Sequence, residues 1–141
     1  MTHNQYAELS LDALITLVKR AISEGRLELL SEIFNACKSP DLRGLAVAFA
    51  AKSGRLEIIQ ELLKKSSISQ EYRGEAVINA VTRGHLKVVQ ELLKNNAPIT
   101  QEAWKSALRY AVENDHLDIV HALEGNVPLL MHLKSYKSWP K

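Results

Sequence analysis

The chain has 141 residues, of which 46% are hydrophobic and 24% are charged, and its formal net charge is +2. A length and composition of this kind indicate one ordinary globular domain and exclude a fibrous or intrinsically disordered chain. The small net charge implies no general attraction to nucleic acid or to a membrane surface, because binding many phosphates needs a clustered excess of Lys and Arg.

Four copies of one short motif follow each other along the chain. Each copy has a glycine or, in the fourth, an aspartate, followed by a basic residue, a leucine, any residue and two apolar residues. The first position of the motif is held by Gly25, Gly54, Gly84 and Asp115, so the copies start 29, 30 and 31 residues apart. Self-similarity at a period of about 20–50 residues is typical of a stacked repeat array.

Two apolar pairs spaced four residues apart precede each glycine position and predict a helix, which we call helix A. Its stripe is built from small residues, which lets neighbouring helices approach closely. The position four residues before the glycine is alanine in every copy: Ala21, Ala50, Ala80 and Ala111. The residue 15 positions before the glycine is a good N-cap in every copy: Ser10, Ser39, Ser69 and Thr100.

Two glycines, Gly44 and Gly74, fall inside the proposed helix A and would each cost roughly 0.5–1 kcal/mol there. They could instead mark a tight turn, with the helix starting just after them. We favour the early start at the Ser and Thr caps, because the fourth copy has Lys105 at this place within good helix-forming sequence.

A second helix, helix B, is predicted after each glycine position from a stripe of larger apolar residues. The glycine supplies the positive φ that ends helix A, and Asp115 is a residue type that tolerates the same conformation. A leucine two residues past the glycine position can pack between the two helices, and it recurs in all four copies: Leu27, Leu56, Leu86 and Leu117.

The sequence therefore predicts an all-α solenoid of four stacked helix-turn-helix repeats in a single domain. The repeats cover approximately residues 10–38, 39–68, 69–99 and 100–127, and residues 128–141 form a C-terminal tail. The end copies differ from the middle ones, as caps of an array do: Arg20 stands where copy two has Phe49, and Glu124 replaces the second leucine of the helix B stripe.

Residues 50–63, Ala-Ala-Lys-Ser-Gly-Arg-Leu-Glu-Ile-Ile-Gln-Glu-Leu-Leu, resemble the Ala-Ala-x-x-Gly-His-Leu-Glu-Val-Val-x-x-Leu-Leu heart of an ankyrin repeat. The chain departs from that family in its shorter period and in lacking the Thr-Pro-Leu-His tetrad. It resembles the short variant, of about 30 residues, without long β-hairpin fingers, which occurs in large-virus and intracellular-bacterial proteins. The resemblance implies a noncatalytic protein–protein interaction scaffold, binding through helix A rather than through finger tips. It also raises the hypothesis of an effector secreted into a host cell.

No constellation of residues predicts catalysis, a metal site or a cofactor. His116, Asp118, His121 and Glu124 could suggest a metal site, but the two histidines are five residues apart, whereas a spacing of four places two ligands on one helix face. We interpret them as a solvated face of helix B. Cys37 has no cysteine partner for a disulfide; it is interpreted as a small gap-filling residue, and it favours a reducing, cytoplasmic compartment.

The candidate partner-binding surface lies on helix A near the A–B turn, where residues vary between copies while their neighbours do not. Two of its members are aromatic, a type enriched at interface hot spots. The alternative is that both aromatic rings are half-buried between repeats. The predicted site consists of Phe49, Lys52, Asn79, Arg83, Tyr110 and Glu113.

Two further hypotheses concern partners. Nucleic acid could bind through surface lysines and the aromatic, basic tail, which comprise Lys64, Lys65, Lys94, Lys134, Tyr136, Lys137, Trp139 and Lys141; acidic residues interleaved elsewhere favour solubilising charge instead. We expect a monomer. We also expect no contact with a membrane, because no apolar run reaches the roughly 18–20 residues of a membrane-spanning helix. Weak self-association would occur through the apolar residues 129–133.

Overall fold

A computed structural model describes residues 5–6, 8–65, 68–94, 97 and 99–125 of the chain. Helices A and B alternate along it. The eight helices with bounds in these ranges are α1 (Leu11–Glu24), α2 (Leu27–Ala36), α3 (Pro40–Ser53), α4 (Leu56–Lys65), α5 (Gln70–Thr82), α6 (Leu86–Leu92), α7 (Gln101–Glu113) and α8 (Leu117–Glu124). No β-strand is present in the described ranges. The predicted all-α stack of helix pairs is confirmed; residues 126–141, and with them the predicted tail, lie outside the described part.

Helix A starts at the predicted caps in every repeat. The hydroxyl oxygens of Ser10, Ser39, Ser69 and Thr100 each accept a hydrogen bond from the backbone N–H three residues on, at 3.1–3.3 Å. Each cap satisfies a donor that the helix itself leaves unpaired, and such caps contribute about 1 kcal/mol each. The early helix start is thereby confirmed.

Gly44 and Gly74 lie inside helices α3 and α5, and each faces a side chain of the next A helix. A Cβ atom on Gly44 would lie 2.3 Å from Cδ2 of Tyr72, and one on Gly74 would lie 2.7 Å from Cβ of Ala103. Both distances are shorter than a van der Waals contact. The two glycines lower the intrinsic helix propensity, and they make room for the next repeat.

The A–B turn has the same geometry in all four repeats. Gly25, Gly54 and Gly84 have φ angles of 70°, 72° and 73°, and Asp115 has a φ of 58°. The next residue closes the turn by donating its backbone N–H to the alanine carbonyl of helix A, as Arg26 does to Ala21 at 2.8 Å. This is the hydrogen bond of a Schellman motif, and the predicted positive φ is confirmed at all four positions.

The helices form two layers around one core. Consecutive A helices pack against each other along one layer, and consecutive B helices along the other. The alanines of the helix A stripe are fully buried, which permits the close A-to-A approach: Ala21, Ala50, Ala80 and Ala111. Larger residues on the B helices, such as Ile33, Ile59 and Ile119, are fully buried on the other side of the core. The core runs from the first repeat to the last.

The recurring leucine after the turn packs as predicted in only three of the four copies. Leu27, Leu56 and Leu86 are partly buried against the core. Leu117 is 65% exposed, so the prediction is wrong for copy four. Leu27 faces residues of the second repeat, such as Glu61 and Leu62, and in the described residues no fifth repeat exists to cover Leu117 in the same way.

A connection between helix A and the end of helix B was not predicted. The indole Nε1 of Trp104 donates to the carbonyl of Leu123 at 2.9 Å. In the preceding repeat Nη1 of Arg73 donates to the carbonyl of Leu92, also at 2.9 Å, and burial lowers the pKa of the Arg73 guanidinium. Each donor lies 11 residues before the glycine position of its repeat. Each satisfies a carbonyl that the end of helix B leaves without an intrahelical partner.

Candidate protein-binding surface

The six predicted site residues lie on three consecutive A helices, close to the A–B turns. Phe49 and Lys52 are on α3, Asn79 on α5 with Arg83 directly after it, and Tyr110 and Glu113 on α7. Because packed helices have axes about 8–10 Å apart, equivalent positions of adjacent repeats are neighbours on this layer. The three charged residues are exposed, and the other three are half-buried.

The aromatic rings of Phe49 and Tyr110 pack partly against the core. Both residues are half-buried, which agrees with the alternative interpretation that their rings pack between repeats. Each ring also lies beside a cation, since Lys19 Nζ is 5.6 Å from the Phe49 ring centroid and the Arg109 guanidinium is 5.5 Å from that of Tyr110. Distances below about 6 Å allow cation–π attraction, and each of the two residues keeps part of its surface exposed.

Asn79 also contributes to the fold, a role that the sequence analysis did not assign to it. Its Nδ2 donates a 3.0 Å hydrogen bond to the backbone carbonyl of Ala48 in the preceding repeat. Ala48 is buried, so this contact ties α5 to α3. Nothing in the sequence indicated this contact, because no other copy has an amide at the equivalent position.

Several basic residues lie near the A–B turns beside Lys52 and Arg83. Lys19 and Arg20 are exposed on α1, and the Arg55 guanidinium donates to the carbonyl of Ser23 across the first turn. Sequence reasoning did not include these three residues in the predicted site, because they stand at three different positions of the motif. The feature that the three residues share is a basic side chain close to an A–B turn.

The opposite end of helix A is acidic. The first turn of every A helix carries one carboxylate, namely Asp12, Asp41, Glu71 and Glu102. Such residues are favoured at helix N-termini by the helix macrodipole. The phenol of Tyr72 donates to Asp41 Oδ1 at 3.1 Å. Burial, together with that hydrogen bond and the negative charge of Asp41, raises the pKa of Tyr72.

Two clefts lie away from the predicted site. One, of about 680 Å³, is on the helix B side and is lined by both acidic and basic side chains, including Glu57, Arg73 and Lys94. The other, of about 640 Å³, is at the first repeat, where Tyr6 and Leu29 are among its lining residues. None of the six predicted residues lines either cleft, so the candidate surface is an exposed helix face rather than a pocket.

The described residues show no arrangement suited to metal binding. Within them no three or more His, Cys, Asp or Glu side chains lie together in a way that could hold a metal ion. Cys37 is a free, half-buried thiol whose Sγ donates to the carbonyl of Tyr6 at 3.5 Å. That contact agrees with its interpretation as a small residue filling a gap.

Two of the lysines considered for nucleic-acid binding have partners on the protein. Lys64 pairs with Glu61 at 3.6 Å, and Lys65 Nζ donates to Ser31 Oγ at 3.2 Å. The tail residues considered with them lie outside the described ranges, as do residues 129–133, where self-association was predicted. Among the described helices none is long and apolar enough to cross a membrane.

A comparison with family models identifies the repeats. The family model for ankyrin repeats (3 copies) matches the chain twice, over residues 14–103 and over residues 47–127. No curated protein and no solved structure matches the chain. Ankyrin repeats are generally protein–protein interaction modules and are typically noncatalytic.

Proposed function

Since the chain belongs to the ankyrin-repeat family, we propose that it is a noncatalytic module that binds a protein partner through the surface of its A helices near the A–B turns. The contact residues of this proposal are Phe49, Lys52, Asn79, Arg83, Tyr110 and Glu113. Ankyrin repeats in general bind protein partners; the particular surface and its residues are our proposal.

One observation carries the choice of surface. Lys52 and Arg83 stand on adjacent repeats, both exposed, and neither forms an ion pair with a carboxylate among the described residues. Phe49, which is half-buried, is one helical turn from Lys52. Exposed charges beside an aromatic ring suit an interface in which the ring contributes affinity and the charges contribute orientation and rate of association.

The hydrogen-bonded backbone beneath these residues supports the same choice. The side chains project from helices whose starts are capped and whose ends are closed by one repeated turn. A surface held in this way loses little conformational freedom when a partner binds. Asn79 serves the surface mainly by holding α5 against α3, and its amide is already engaged with Ala48.

The test reverses two charges on this surface and two charges elsewhere. Wild type, Lys52→Glu/Arg83→Glu and the control Lys38→Glu/Lys87→Glu are used to capture proteins from a lysate of the source cells and from a lysate of a plausible host cell. Lys38 and Lys87 are exposed and lie outside the A helices, so both variants have the same net charge. Circular dichroism and thermal melting establish that each variant is folded.

The proposal predicts a protein that wild type and the control retain and that the Lys52→Glu/Arg83→Glu variant loses. Mass spectrometry quantifies that protein in each eluate. If every captured protein is retained equally by both variants, the surface proposal is wrong. If only nucleic acid is retained, and its retention falls steeply with salt, the nucleic-acid alternative replaces it.

A further inference from the structure

The region around the A–B turns of the first three repeats is strongly basic. We call residues 19–26, 48–55 and 78–85 the turn rim. These residues include six basic side chains and one acidic side chain, Glu24, so the rim has a net charge of +5 with His85 counted as neutral. The whole chain has a net charge of only +2, so the positive charge is concentrated at this rim.

Most of the rim charge is not neutralised by the protein. The basic residues are Lys19, Arg20, Arg26, Lys52, Arg55 and Arg83. Among the described residues Arg26 alone of these six forms an ion pair, with Glu24 at 3.6 Å. Arg55 is held across the first turn by the carbonyl of Ser23, which fixes a positive charge there without cancelling it.

Acidic residues border the rim on three sides. Glu28 and Glu57 stand in the first turns of the B helices that directly follow it. In the fourth repeat the equivalent residues, 109–116, contain Glu113 and Asp115 against Arg109. At the far end of the A helices, the first turns carry Asp12, Asp41, Glu71 and Glu102. The positive potential is therefore confined to a short strip across repeats one to three, and a bound polyanion would be repelled on leaving it.

Phe49, which is partly exposed, lies within this strip. Lys19 approaches the ring to 5.6 Å from the first repeat, and Lys52 follows it on α3. A ligand that follows the strip thus meets an apolar surface between positive charges. Three repeats stacked about 10 Å apart place the ends of the strip roughly 20 Å from each other, a distance that about six to eight extended residues cover.

We propose that the partner engages the turn rim with an acidic polypeptide segment, a short run of Asp and Glu with an apolar side chain over Phe49. The inference rests on the proposed function and adds the chemistry of the partner. A polypeptide suits the strip better than a nucleic acid, because its acidic run can end where the bordering carboxylates begin. A phosphate backbone would continue past them with its charge undiminished.

The test selects ligands without assuming their sequence. A display library of random twelve-residue peptides is selected against the full chain, and recovered peptides are titrated against wild type, Lys52→Glu/Arg83→Glu and Lys38→Glu/Lys87→Glu. We expect recovered peptides to be rich in Asp and Glu and to contain an apolar residue. Their affinity should be at least about tenfold lower for Lys52→Glu/Arg83→Glu, the rim variant, than for wild type. It should change little for Lys38→Glu/Lys87→Glu, the control variant. Added salt should weaken the binding to wild type.

The possible outcomes separate the two proposals. If the binding of the recovered peptides depends on Lys52 and Arg83 but the peptides are neutral or basic, the proposed acidic partner is wrong and the proposed binding surface stands. Peptides that bind the rim variant and wild type equally, or a selection that yields no peptide, overturn the surface itself. A labelled twelve-nucleotide single-stranded RNA that binds wild type more tightly than the acidic peptides overturns the polypeptide ligand in favour of nucleic acid.

Discussion

Asn79 Nδ2 donates a hydrogen bond to the backbone carbonyl of Ala48, 3.0 Å away and 31 positions earlier in the chain. The bond joins two repeats at the surface proposed for partner binding. Asn79→Ala removes the donor, and we expect it to lower the free energy of unfolding by about 1 kcal/mol, measured by urea denaturation.

Asn114→Ala is the matched control for this prediction. Asn114 also donates its Nδ2 to a backbone carbonyl, that of Tyr110 at 2.8 Å, but it is exposed and the bond stays within one repeat. Its loss should cost less than the loss of Asn79. Equal costs for the two variants would contradict a specific role for Asn79 between the repeats.

Gly44→Ala should destabilise the fold although alanine is the better helix former. The added Cβ would lie 2.3 Å from the ring of Tyr72, and that ring is held by the hydrogen bond to Asp41. We expect a loss of about 1–3 kcal/mol, as is usual for overpacking, measured by urea denaturation.

The same substitution in a Tyr72→Ala background tests the cause of that loss. With the ring removed, Gly44→Ala should become stabilising by about 0.5–1 kcal/mol, the helix-propensity difference between the two residues. If Gly44→Ala costs the same in both backgrounds, the contact with Tyr72 is not its cause.

Trp104→Phe should destabilise the last repeat. The substitution leaves the carbonyl of Leu123 without the indole donor and removes volume at a fully buried site. We expect a loss of about 1–3 kcal/mol from the unsatisfied carbonyl, with a further cost for the cavity. Thermal or urea unfolding measures it, and a loss within experimental error would mean that the hydrogen bond contributes nothing.

The part of the folding stability that the phenol of Tyr72 contributes should be lost at alkaline pH. Its pKa is raised above the ordinary value of 10.0 by burial and by Asp41, so the folded state holds this proton more tightly than the unfolded state does. The corresponding stability is fully present below about pH 10 and is lost as the pH rises through the folded-state pKa.

Tyr72→Phe measures that contribution. The stability difference between wild type and Tyr72→Phe, obtained from urea denaturation, should be smaller at about pH 11 than at about pH 8. A difference that stays constant over this range would contradict the raised pKa. The hydroxyl of Tyr6 donates to Glu32 at 3.1 Å, and burial also raises the pKa of Tyr6. The stability that Tyr6 contributes should therefore also fall as the pH rises into the alkaline range.

The features predicted correctly from sequence are those set by residues close together in the chain. The cap hydroxyl of Ser39 bonds three residues away, and the φ of Gly54 depends on its own missing Cβ. Repetition strengthened these signals, because the same residue types recur at the same positions in several copies.

The features that sequence reasoning missed join residues distant in the chain and different in type. Arg73 and Trp104 hold the same position of the motif and make the same connection to helix B. The four copies have Leu14, Arg43, Arg73 and Trp104 at this position, and these residue types do not suggest a shared role. The need for Gly44 likewise became visible only when the neighbouring Tyr72 was placed against it. The hydrogen bond of Asn79 was missed for the same reason, since its acceptor, the carbonyl of Ala48, lies in another repeat.

The most direct test of the account is an isothermal titration of the captured partner into wild type, Lys52→Glu/Arg83→Glu and Lys38→Glu/Lys87→Glu. The account predicts that the rim variant binds at least about tenfold more weakly than wild type, whereas the control variant binds as wild type does. Equal affinities for the rim variant and wild type, with both shown to be folded, would contradict binding through the A helices near the A–B turns.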